Sequence, residues 1–149
     1  MAIVWTNQLS VGNRMIDAIH KEVFDMINRV VHSVKAKDQA ALTEAFEQLE
    51  NCLCNYFAVE EKVAQAIGFD FIKHRLAHQY LLNELKRIRE ELRAKNNAWS
   101  KFEQNTYIDL LRYCWIRHIT EDAKPLKIVL ETHFYDFKPE GLGGASHPG

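Results

Sequence analysis

Apolar side chains recur along this chain at alternating intervals of three and four residues, the repeat that lines one face of an α-helix. From about 13 to 35 the repeat runs through Ile16, His20, Val23, Ile27, Val30 and Val34, an apolar seam with a histidine in it. From about 38 to 66 it passes through Phe46, Leu49, Leu53, Tyr56, Glu60 and Val63 to Ile67, so this seam carries a tyrosine and a glutamate. From about 70 to 95 it contains Phe71, His74, His78, Leu81, Leu85, Ile88 and Leu92, and from about 101 to 124 Tyr107, Leu111, Cys114, His118 and Asp122. No stretch alternates with period two. Gly12 precedes the first helix, Gly68 separates the second from the third, and the polar Asn96-Asn97-Ala98-Trp99-Ser100 segment separates the third from the fourth. Pro125 is expected to end or kink the fourth. The pattern predicts an all-α chain folded as an up-down-up-down four-helix bundle, because short connections make successive helices antiparallel.

The polar members of the seams are expected to meet. At 1.5 Å per residue, His20 stands about 10 Å from the start of the first helix and Glu60 about 10 Å before the end of the second. His74 and His78 lie within two turns of the start of the third helix, and His118 and Asp122 within two turns of the end of the fourth. In an antiparallel bundle all of these positions come to one level at one end. His74 and His78, at i and i+4, share a helix face and suit a common metal ion. Four imidazoles, two carboxylates and a phenol in a core layer would cost several kcal/mol to bury unless something satisfied them. A metal centre does so. Imidazole with bridging carboxylate, and no well-placed thiolate, suits a pair of iron or manganese ions better than structural zinc.

Other candidates fall away from that layer. His32 and His133 are off its level and His147 is in the tail, so all three are assigned to the surface. Cys52 and Cys54 are two residues apart and point to nearly opposite sides of a helix, so they do not share an ion. With Cys114 they make three, an odd number that does not suit a disulfide framework. Trp115 and Tyr107 are read as core packing, and the run Lys86-Arg87-Ile88-Arg89-Glu90-Glu91 as a solvated face of mixed charge.

Composition narrows the classes further. A chain of 149 residues, 47% hydrophobic and 26% charged, is expected to form one domain spanning 1–149, with an N-terminal arm at 1–12 and a C-terminal tail at 132–149. A net charge of −1 gives no electrostatic case for nucleic acid or anionic lipid as partners. No segment approaches the ~20 apolar residues of a membrane span, and the opening residues lack a basic start followed by an apolar run, so a cytoplasmic protein is expected.

The residues now assembled resemble the hemerythrins and bacteriohemerythrins. The opening WTNQLSVGNRMIDAIHKEVFDMIN is similar to the family's first helix, with Trp5, Gly12, Ile16, Asp17, His20, Lys21 and Asn28 in matching places. FAVEE resembles the family's HF-x-x-EE, HRLAH its third-helix HxxxH, and WIRHITED its fourth-helix histidine and aspartate. The resemblance covers roughly residues 3 to 130. It implies two iron ions joined by an oxo or hydroxo bridge, with His74, His78 and His118 on the first ion, His20 on the second, and Glu60 and Asp122 bridging. It also implies reversible binding of dioxygen or a related small diatomic ligand. Three positions depart from the family pattern. Tyr56 replaces the second-helix histidine and is expected to reach the second iron directly or through one hydrogen bond. Asp122 follows His118 by four residues rather than five, with Glu121 as the alternative bridge. Ile19 stands where the family has glutamine. Dioxygen storage, delivery or sensing is the expected function. An oxidoreductase consuming peroxide, O₂ or nitric oxide is the alternative, and a non-redox metal-binding bundle a further one.

Overall fold

A computed structural model describes residues 5–139. Three of its helices begin at a side-chain cap. Asn13 accepts hydrogen bonds from the backbone N–H groups of Met15 and Ile16, both at 3.1 Å, and opens α1, Arg14–Ala36. Lys37 ends it in the left-handed conformation, and Asp38 then caps α2, Gln39–Ala66, by accepting from Ala41 N–H. Gly68, with φ of +71°, turns the chain, and Asp70 accepts from Ile72 N–H at the start of α3, Ile72–Lys95. Asn96 and Asn97 both take positive φ, a conformation Asn tolerates better than most residues. Ser100 and Glu103 form a reciprocal capping box for α4, Lys101–Arg117.

These four helices form an all-α bundle of the hemerythrin type, in which α1 contacts α2 and α4, and α3 contacts α2 and α4. The core is the set of facing seams: Val23, Ile27 and Val30 from α1, Phe46, Leu49 and Leu53 from α2, Leu85, Ile88 and Leu92 from α3, and Leu111 and Trp115 from α4. Each such side chain removed from water contributes about 1.5–3 kcal/mol before the entropy of ordering the chain is subtracted. No helix among the described residues is long and apolar enough to cross a membrane.

The end of the fourth helix differs from expectation. α4 stops at Arg117, residues His118–Asp122 form one wide π turn closed by Ala123 N–H donating to the His118 carbonyl at 2.9 Å, and a short α5, Lys124–Leu130, follows. Pro125 does not stop the chain from being helical. It occupies the first turn of α5, where a missing N–H costs nothing.

The first part of the tail returns to α1. Arg14 N–H donates to the Tyr135 carbonyl at 2.8 Å, and the Asn13 amide donates to the Phe137 carbonyl at 2.9 Å. Buried Asp17 gathers the two termini, accepting from Val11 N–H at 2.9 Å, from the Ser10 hydroxyl, and from the Tyr135 hydroxyl at 3.0 Å. The end of the tail, with His147, lies outside the described residues. Replacing Asp17 leaves those donors short of an acceptor, so Asp17→Ala is expected to lower unfolding free energy by about 2–3 kcal/mol in a denaturant titration. A loss within the range of an ordinary surface substitution would show that the termini are not anchored there.

Candidate metal centre

Four segments supply the polar layer: α1 brings His20, α2 Tyr56 and Glu60, α3 His74 and His78, and the π turn His118 at its start and Asp122 at its end. Tyr56, Glu60 and His20 are fully buried, and His74, His78 and His118 are at most 4% exposed. One donor atom each from Glu60, His74, His78 and His118 lies within 4.8 Å of the others. The Glu60 carboxylate faces two ways. Its Oε1 contacts His74 Nε2 and lies 3.3 Å from His78 Nε2, while Oε2 lies 3.9 Å from His20 Nε2 on the opposite side.

None of these contacts has hydrogen-bond geometry. Both ring nitrogens of His20, both oxygens of Glu60, Nε2 of His74 and of His78, and Nδ1 of His118 are buried without a hydrogen-bond partner. Each such orphan costs about 1–3 kcal/mol, so a core containing them without compensation is hard to account for. A cation among them would meet the Glu60 oxygens and one nitrogen of each imidazole facing it. The donor set therefore fits a metal, and being nitrogen and carboxylate oxygen without sulfur it fits iron or manganese.

The protonation states fit as well. Burial drives the His20 imidazole down to about 3 and that of His78 down to about 4, in both cases against the pull of Glu60. Burial works to raise the Glu60 carboxyl, but the facing His74 and His78 imidazoles outweigh it and hold the group well below the usual carboxylate range. Burial, reinforced by the charge of Glu60, pushes the Tyr56 phenol well above its usual value. The layer thus offers neutral imidazoles at His20 and His78 around an ionised carboxylate, the forms that bind metal ions.

Aromatic rings wall the cluster. Phe57 stacks on His78, with centroids 3.9 Å apart and planes 15° from parallel, and Trp115 stacks on His118 at 5.6 Å and 21°. Trp115 also meets His20 edge to face at 5.3 Å, and Phe71 leans on His74 at 4.9 Å. The sequence pattern identified Trp115 only as core and did not single out Phe57 or Phe71 as site residues. Their proximity to His118, His78 and His74 along the helix faces was the signal available.

Two side chains lie differently from expectation. The Tyr56 hydroxyl is 3.1 Å from His118 Nε2 while its ring packs edge to face on His20 with centroids 4.9 Å apart, so the side chain touches both sides of the layer. Asp122 is outside the group of mutually close donors. Its Oδ2 is 3.4 Å from His118 Nδ1, and its side chain is 23% exposed at the rim. A turn closed between residues five apart needs more than four residues to come round, so a residue four after His118 stops short of the inward line. Glu121 is exposed. Ile19 is buried and apolar and provides His20 with no polar partner, and His32 is exposed.

A helical bundle closed around a buried histidine–carboxylate cluster defines a metal-binding domain of the hemerythrin type. The chain belongs to that family: the model described as the Hemerythrin HHE cation binding domain matches residues 11–134. It is similar to the bacteriohemerythrin of Pseudomonas aeruginosa, with 29% identity over 121 residues that cover 80% of this chain and 76% of the relative. The bacteriohemerythrin of Pseudomonas paraeruginosa matches with the same identity and coverage. That of Stenotrophomonas maltophilia is 24% identical over 143 residues, or 95% of this chain and 90% of the relative. No solved structure gives a significant match.

The depressed histidines give the metal-free protein a definite pH dependence. In the unfolded chain His20 and His78 take up protons near pH 6.5, whereas in the folded protein they resist until about 3 and 4. Their contribution is whole above pH 6.5 and is lost as pH falls towards those values, by up to about 1.4 kcal/mol per pH unit for each group. Glu60, held ionised when folded, adds a loss in the same direction below the ordinary carboxylate value. Denaturant midpoints of metal-free protein should therefore drop steadily from pH 7 to pH 4.5, and a flat profile would contradict the burial of neutral imidazoles.

Proposed function

We propose that this chain is a non-heme di-iron protein that binds dioxygen, or a related small diatomic ligand, within the layer of His20, Glu60, His74, His78, His118 and Tyr56. The observation that carries the proposal is the two-sided Glu60 carboxylate, whose oxygens face His74 and His78 on one side and His20 on the other. Such a carboxylate serves two ions at once, with His74, His78 and His118 on the richer side and His20 on the poorer one. Two ferrous ions there would supply the electrons that dioxygen accepts on binding. The protein's own part is to hold the imidazoles neutral, to keep Glu60 ionised, and to keep bulk water out with Trp115, Phe57 and Phe71. Membership of the hemerythrin family and the bacteriohemerythrin relatives support the same reading.

Asp122 is proposed as a contributor from the rim. Its carboxylate faces His118 Nδ1, the position from which a carboxylate orients a metal-bound imidazole. With only His20 and one Glu60 oxygen on it, the second ion should be the easier to remove. A graded chelator titration should pass through a form holding one ion per chain, and simultaneous loss of both would contradict unequal sites. His74→Ala should lower iron content and abolish the metal-dependent part of thermal stability, because site binding and folding are coupled. Full iron content in that variant would remove His74 from the site.

One observation favours the oxidoreductase reading. The Tyr56 hydroxyl is already within hydrogen-bond distance of Nε2 of His118, a histidine assigned above to the first ion. A phenolate is a hard anionic donor that stabilises ferric over ferrous iron and works against reversible carriage. Iron-loaded, anaerobically reduced protein decides between the two. A spectral change that appears with O₂ and disappears when O₂ is removed supports binding, whereas peroxide consumption without a lasting adduct supports turnover. Tyr56→Phe should abolish any broad visible charge-transfer band of the ferric protein, and Tyr56→His should shift it towards a stable O₂ adduct. If Tyr56→Phe changes neither spectrum, iron content nor O₂ reaction, the phenol only fills space.

A further inference from the structure

The metal layer is closed by aromatic rings on several sides, yet a pocket of about 510 Å³ reaches it at the corner between the α2–α3 turn and the π turn. Phe69, Asp70, Lys73, His74, Ala77, Glu121, Asp122 and Pro125 line it. His74, 4% exposed and with its Nε2 lacking a hydrogen-bond partner, is among these lining residues. A smaller pocket of about 160 Å³ on the other side of Asp122 is lined by Tyr80, Tyr113 and Cys114 among others and contains none of the cluster histidines.

The mouth has an uneven charge. Asp70, Glu121 and Asp122 bring three carboxylates to its rim, and Lys73 brings one cation. On the neighbouring flank the sign changes, because Lys124 and Lys127 with Glu131 line a separate groove against Gln8, Leu9 and Ile119. A concave acidic mouth between low-dielectric walls concentrates cations from solution and raises their association rate.

We propose that this pocket is the port through which a divalent metal cation enters the buried layer, with Asp70 and Glu121 drawing the ion in and His74 receiving it. The proposal rests on the metal-binding reading above and adds a route to it. Entry at this corner explains why one histidine of a sealed cluster forms a pocket wall. It also gives a role to carboxylates that the site itself leaves unused. Asp70 accepts from Ile72 N–H and so caps α3, a role asparagine can keep, which makes Asp70→Asn a clean removal of charge.

The test measures cobalt(II) uptake by metal-free protein in a stopped-flow instrument, following tryptophan fluorescence, since Trp115 stacks on His118 inside the layer. A unit charge about 10 Å from a divalent ion in water changes its local concentration about fourfold. At 10 mM ionic strength, Asp70→Asn and Glu121→Gln should each slow uptake by about that factor and Lys73→Gln should speed it similarly, with the final metal content unchanged. At 1 M salt, where the screening length is about 3 Å, the rates should converge. Glu44→Gln, a charge removed from the separate α1–α2 groove, is the control and should leave the rate alone. Equal rates for all variants at low salt, or slowing by Glu44→Gln as large as by Asp70→Asn, overturns the port while leaving the metal site standing. Failure of the unaltered chain to take up metal overturns the metal reading and the port with it.

Discussion

A carboxylate with no access to water is the constraint on which this molecule depends. Glu60 is 0% exposed in the middle of a helical bundle, and an ionised group there carries a desolvation penalty of several kcal/mol. Hydrophobic packing cannot compensate for it, because packing offers the charge nothing. Imidazoles from three other segments lie around it, and each is itself expensive to bury with its nitrogens unsatisfied. The cluster is thus unfavourable in every part until a cation enters, and then every part becomes favourable together. Metal binding and the final packing of α1 to α4 are two sides of the same free energy.

That dependence explains why the rest of the fold is strict about height. The Asn13, Asp38 and Ser100 caps and the left-handed turns at Lys37, Asn96 and Gly68 fix where each helix starts and stops. A slip of one residue in any helix moves its ligand about 1.5 Å along the axis and 100° around it, enough to take a histidine out of the layer. Asp17, tying the arm and the tail to the first turns of α1, adds a further restraint near His20. The aromatic walls act in the same sense. Rings stacked on His78 and His118 leave those imidazoles little room to rotate away.

Much of this was legible in the sequence because it follows from period and height. The seams name the core residues, and the antiparallel arrangement brings His20, Glu60, His74, His78 and His118 to one end, where the structure has them. Local backbone chemistry was less legible. Nothing in the period of WIRHITED distinguishes an α turn from the π turn that leaves Asp122 at the rim. Which neighbour the Tyr56 hydroxyl meets was not legible either. Its partner depends on how far a phenol reaches across the bundle, a distance that spacing along one helix does not contain.

Two of the three positions that depart from the family pattern converge on a single ring. His118 has Tyr56 oxygen 3.1 Å from Nε2 and Asp122 oxygen 3.4 Å from Nδ1. A carboxylate only accepts, so the proton of a neutral imidazole belongs on Nδ1, which leaves the Nε2 lone pair to accept from the phenol. That is the tautomer a metal needs, since the ligating nitrogen must be bare and the other anchored. Asp122 at the rim therefore serves the same imidazole that Tyr56 reaches from within. The phenol occupies the lone pair that a cation would take. Metal and Tyr56 then compete for one nitrogen, and binding an ion at His118 requires the hydroxyl either to yield or to turn its own oxygen to the metal.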